Sequence, residues 1–163
     1  MVFTGLNSAT LLPRTKKRLV CVTLNGVIDI PGVFAVLYLR GNNPGNLIKY
    51  GGTGTVTFES GQIYYAFNGR ASYIGTRDQR NLTGFNTLYV NGYCINSGQN
   101  TLILCANTSN GSSITDGNSA LTEINVTADR EYTVSLNISM VNANRYIHFG
   151  GFVYGYLYRM WLG

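Results

Sequence analysis

The sequence predicts an all-β chain: an antiparallel β-sandwich, folded as a single jelly roll of about ten short strands. Three observations carry this expectation. Apolar and polar residues alternate strictly from Tyr132 to Met140, a period of two that no helix can show. Short apolar runs are interrupted throughout by Gly, Asn, Ser and Thr, and no stretch alternates strand with amphipathic helix. Hydrophobic residues make up 45% of the 163 residues and charged ones only 12%, so a core can form while the polar positions are filled by uncharged groups, among them 20 glycines and eighteen asparagines. A chain of this length fits one domain, expected over 18–163 behind an N-terminal arm, 1–17.

Taken in order, strands are expected at 18–24, 27–30, 33–40, 47–50, 55–58, 63–67, 71–74, 87–90, 93–95, 101–105, 121–127, 132–140 and 146–162, the last broken near Gly150 and Gly151. Asn25-Gly26, Asn68-Gly69 and Asn91-Gly92 supply the positive φ of tight hairpin turns, which sets neighbouring strands antiparallel. GNNPGN around Pro44 and the segment 107–118 read as exposed loops, the second long enough for recognition. In the last strand Phe152, Tyr154, Tyr156, Tyr158 and Met160 share one face, while Val153, Leu157 and Trp161 share the other. Both faces are therefore apolar, which fits a central strand or an oligomer interface through Phe152, Tyr154, Tyr156, Tyr158 and Trp161.

Charge and chemistry narrow the function classes. The net charge is +5, and Arg14, Lys16, Lys17 and Arg18 cluster with no acid before Asp29, a short arm able to contact phosphates or an acidic partner. The N-terminus has apolar residues before its charges and no h-region, so no signal peptide is expected, and no apolar run is long enough to cross a membrane as a helix. Cys21, Cys94 and Cys105 have neither CxxC nor metal-ligand spacing, and buried free thiols are expected. The single histidine, His148, lies between Ile147 and Phe149 in a strand without a GxSxG elbow or a cysteine motif anywhere, so a structural histidine and no enzymatic activity are expected. GGTGTV lacks the Walker lysine and a following helix, and neither a metal nor a cofactor is expected. Five Asn-X-Ser/Thr sequons in so Asn-rich a chain say nothing by themselves.

The short leader, the PRTKKR cluster, the succession of short strands and the aromatic C-terminal strand together resemble the single jelly-roll proteins of virions: coat subunits, minor capsid proteins and trimeric spike heads. The resemblance implies a structural virion protein, made in a host cytoplasm, which self-assembles as a homo-oligomer or with other virion proteins through strand faces and loops, with weak nucleic-acid contact through the arm. The residues themselves also support an alternative. Tyr64, Tyr65, Tyr73 or Tyr89, if exposed, could stack on sugar rings while asparagines bond hydroxyls, as in a lectin-like carbohydrate-binding module or a receptor-binding fibre head.

Overall fold

The computed structural model describes residues 22–24, 27–29, 33–52, 54–59, 62–95 and 98–163. The arm, with Arg14, Lys16, Lys17 and Arg18, and Cys21 and the Asn25-Gly26 turn lie outside the described residues. Strands β1 (Val22–Leu24) and β2 (Val27–Asp29) pair antiparallel, with Leu24 opposite Val27. The other strands are β3 (Ala35–Leu39), β4 (Leu47–Tyr50), β5 (Thr55–Glu59), β6 (Gln62–Thr76), β7 (Arg80–Asn81), β8 (Thr87–Ile95), β9 (Thr101–Asn107), β10 (Asn118–Asn125), β11 (Arg130–Asn137) and β12 (Asn144–Leu162). All pair antiparallel, and no helix occurs among the described residues.

These ten strands form the two layers of a β-sandwich because β6 and β12 are long enough to serve both. In the first layer the order is β10-β9-β12-β6-β4, using residues 146–152 of β12 and the C-terminal part of β6. In the second it is β11-β8-β12-β6-β5, using residues 154–162 of β12 and the N-terminal part of β6, with β3 beside the end of β12. The crossing is made at one register shift: Gly150 faces Tyr73 but Gly151 faces Gly69, so Arg70, Ala71 and Ser72 stand unpaired and bend β6. Gly151 has φ 126, a conformation in which an added Cβ would run into the Thr101 carbonyl. The glycine pair expected to break the last strand thus redirects it without ending it.

One core joins the layers. Leu102, Leu104 and Ile147 of the first pack in the same cluster as Val90, Val134, Val153 and Leu157 of the second. Phe149 sits at the seam, with ring centroids 5.0 Å from Tyr65 and 5.6 Å from Phe67. The alternation in β11 is as expected: Tyr132, Val134 and Leu136 are buried while Thr133, Ser135 and Asn137 are exposed. It ends earlier than expected, because Asn137 Oδ1 accepts hydrogen bonds from the backbone N–H and hydroxyl of Ser139, a local turn that leaves Met140 89% exposed.

Two hairpin expectations are corrected. Asn68-Gly69 and Asn91-Gly92 lie inside β6 and β8, each of which was expected to be two strands. Asn91 spends its amide on side-to-side bonds across the sheet, and Gly92 is needed because a Cβ there would meet the Tyr132 hydroxyl and the Tyr156 carbonyl. The loop following Asn107 is corrected too. It folds back onto the first layer, burying Ile114 with Tyr73, Ile103 and Cys105 in a second small core. Cys94 and Cys105 are both buried and unbridged, and burial pushes the Cys105 thiol up to about 12.

Candidate functional site

The outward face of the second layer is an aromatic platform. Along β12 the side chains of Val153, Leu157, Met160 and Leu162 are buried, while Tyr154, Tyr156 and Trp161 are half-buried on the opposite side, continued by half-buried Phe152 at the end of the first layer's stretch. The phase changes at Tyr158, where Leu157 faces Gly92 but Arg159 faces Asn91, a one-residue bulge. This corrects the expected pattern: Met160 turns into the core and Trp161 joins the tyrosine face. Register then sets the rows. Tyr156 lies opposite Tyr64 of β6 on one side and Tyr93 of β8 on the other, and Trp161 lies opposite Tyr89. Tyr64 and Tyr156 have centroids 5.5 Å apart, and Tyr89 stacks on Trp161 at 5.0 Å and 12°. The Arg40 guanidinium covers the Tyr158 ring at 5.2 Å. At the β9 end, Phe67, Asn68, Gln99, Phe152 and Tyr154 line an open concavity of about 260 Å³.

Between the two aromatic groups sits a polar cluster. Asn91, 2% exposed, reaches Glu131 Oε1 at 2.9 Å, the Tyr132 carbonyl at 2.8 Å and Thr133 Oγ1 at 3.2 Å through Nδ2. Its Oδ1 accepts from Arg159 Nε at 3.2 Å, and the Arg159 guanidinium lies 5.9 Å from the Trp161 ring centroid.

The chain shares this fold with carbohydrate-binding modules of family 29. One variant of such a module superimposes with a TM-score of 0.54 at 11% sequence identity, covering 79% of this chain and 89% of that one. Two variants of a family 29 module, one solved with mannohexaose and one with cellulohexaose, each give a TM-score of 0.51 at 14% and 13% identity, again over 79% of this chain and 89% of theirs. No protein-family model matches the sequence, and no curated protein matches it.

The platform brings together Phe152, Tyr154, Tyr156, Trp161, Tyr64 and Tyr89 from the residues expected to serve an interface or sugars. Tyr158, at the bulge, lies under the Arg40 guanidinium, and two of the tyrosines expected to stack on sugars are absent from the platform. Tyr65 is fully buried, its hydroxyl 2.7 Å from that of Tyr132, and Tyr73 is fully buried with its hydroxyl donated to the Gly111 carbonyl at 2.9 Å. Neither ring is available to a sugar, and burial pushes the Tyr73 phenol up to about 12. Tyr65 points inward because its position in β6 has the parity of Ile63 and Phe67. Sequence reasoning missed Tyr93, Asn91, Glu131 and Arg159; with 87–95 read as one strand, the alternation of Tyr89, Asn91 and Tyr93 would have shown three of the face's positions.

His148 is a structural residue of the first layer. Asn107 Nδ2 donates to the Ile114 carbonyl at 2.6 Å and to His148 Nδ1 at 2.7 Å, so the ring proton is on Nε2, which donates to Asn110 Oδ1 at 2.7 Å. Asn110 Nδ2 in turn donates to Tyr50 Oη, which donates to the Thr76 carbonyl. Burial holds the imidazole at about 4, against an ordinary 6.5. Among the described residues no group of three His, Cys, Asp or Glu is placed to hold a metal, and no helix is long and apolar enough to cross a membrane.

Proposed function

We propose that this protein is a glycan-binding module whose binding surface is the aromatic face of β6, β12 and β8, acting by adhesion without catalysis. The observation that carries the reading is the row Tyr64, Tyr156 and Tyr93, held in register on three adjacent strands and left partly open to solvent. Rings held by a sheet present apolar faces at little entropic cost, and their phenol hydroxyls can pair with sugar hydroxyls. The pyranose ring is likewise apolar on its C–H faces and polar at its edge. The family 29 modules with the same fold include structures holding mannohexaose and cellulohexaose, which makes extended neutral glycans the first ligands to try.

Affinity electrophoresis through gels carrying a panel of polysaccharides tests this. Retardation by at least one glycan is expected, and Tyr156→Ala should weaken it by about thirtyfold, the effect of losing a hot-spot aromatic of about 2 kcal/mol. A protein that ignores every glycan and instead forms closed high-mass particles, with the same aromatics buried between copies, would favour the virion-shell reading. In that case Tyr156→Ala should break the particles.

A further inference from the structure

We infer that Asn91 is a positioning residue, holding Arg159 and Glu131 apart as a donor and acceptor pair that reads adjacent hydroxyls of a neutral sugar. The inference rests on the glycan-binding reading and gives that surface its specificity. Asn91 faces outward in β8 yet is 2% exposed, and both ends of its amide are engaged. A buried amide so bonded is costly to displace. Its oxygen fixes the Nε corner of Arg159, whose other guanidinium nitrogens have no partner among the described residues. Its nitrogen fixes one oxygen of Glu131 and leaves the other open.

Two opposite charges on either side of one side chain would be expected to close on each other. They do not: among the described residues the only ion pair is Arg70 with Glu123. The amide is the wedge. What remains is an exposed donor fork and an exposed acceptor on either side of the buried amide, with no net charge, which suits hydroxyls, since each can both donate and accept. A carboxylate-bearing sugar would meet Glu131. Tyr89 and Tyr93 flank this pair on β8, about 14 Å apart at roughly 3.4 Å per residue, so a ligand spanning both aromatic groups must pass over it.

Calorimetric titration of the intact chain with mannohexaose, cellulohexaose and an oligogalacturonate tests the inference. Arg159→Ala and Glu131→Ala should each weaken neutral-hexaose binding about tenfold in a chain that stays folded at the titration temperature; Glu131→Ala should leave the thermal midpoint in place, since Asn91 Nδ2 keeps two other acceptors, whereas Arg159→Ala should lower it by a few degrees, since Asn91 Oδ1 loses its partner. Asn91→Ala should let Arg159 and Glu131 pair, so its affinity should be low in dilute buffer and partly restored in molar salt, whereas the wild type should be indifferent to salt. Wild-type-like binding by both charge variants, or tighter binding of the oligogalacturonate, would overturn the donor and acceptor pair while leaving the aromatic platform in place. Absence of binding to all three probes overturns it as well, and a blank polysaccharide panel would then remove the function too.

Discussion

Gly155→Ala is expected to cost about 4 kcal/mol of stability and to lower the thermal midpoint by on the order of 10 °C. Gly155 lies in the middle of β12, facing Tyr65 on β6 and Cys94 on β8. An added Cβ would overlap the Tyr93 carbonyl and lie 2.8 Å from the Tyr65 hydroxyl. The carbonyl belongs to the backbone of β8 and cannot retreat without loosening that ladder. The hydroxyl cannot move without losing Tyr132, and both phenols are inside the core, where burial drives their ionisation far above the usual range. Overpacking accounts for about 1–3 kcal/mol and an orphaned buried hydroxyl for a similar amount. Urea denaturation followed by circular dichroism gives the number, and Tyr65→Phe, which removes only the hydroxyl, should lose about 1–2 kcal/mol. An alanine variant within about 1 kcal/mol of wild type would show that the Tyr65 and Tyr132 phenols do not need this gap. The glycine also bears on function, because Tyr156 stands directly beyond it on the opposite face, opposite Tyr93.

The fold was legible where burial alone decides the pattern. In β11 nothing competes with the alternation of Tyr132, Val134 and Leu136, and the expected strand is there, short by three residues at its end. Legibility failed where one residue type serves two purposes. An Asn-Gly pair fits a type I′ turn, but at 91–92 the asparagine is a cross-strand bridge and the glycine clears space for Tyr132; a sequence does not show what lies opposite. Likewise a single bulge at Tyr158 reverses the parity of everything after it, so Met160 and Trp161 exchange faces although the local pattern is unchanged. The site inherits both limits. Tyr64, Tyr156 and Tyr89 could be nominated because tyrosine on a strand is amphipathic wherever it points, whereas the Asn91, Glu131 and Arg159 cluster exists only through the pairing of β11, β8 and β12.

Stability should fall by about 3 kcal/mol between pH 6.5 and pH 4, and His148 should be the cause. The imidazole is fully buried against Tyr50, Tyr73 and Tyr146, with no acid among the rings packed on it. In the folded protein it stays neutral down to about 4, while in the unfolded chain it takes up a proton near 6.5. As pH falls through that window the unfolded state binds more protons than the folded one, so the stability present above pH 6.5 is lost progressively and levels off below pH 4. Geometry gives the same sign. A proton on Nδ1 would face the Asn107 amide nitrogen, which can only donate, and that nitrogen also tethers the Ile114 carbonyl of the folded-back loop. The unfolding free energy should therefore drop more steeply for wild type than for His148→Gln over this range, the difference removing the contribution of surface carboxylates. The imidazole resonances should titrate near 4. A midpoint close to 6.5, or parallel pH profiles for the two proteins, would mean that the loop does not keep the ring dry, and the second small core around Ile114 would have to be looser than Tyr73, Ile103 and Cys105 make it.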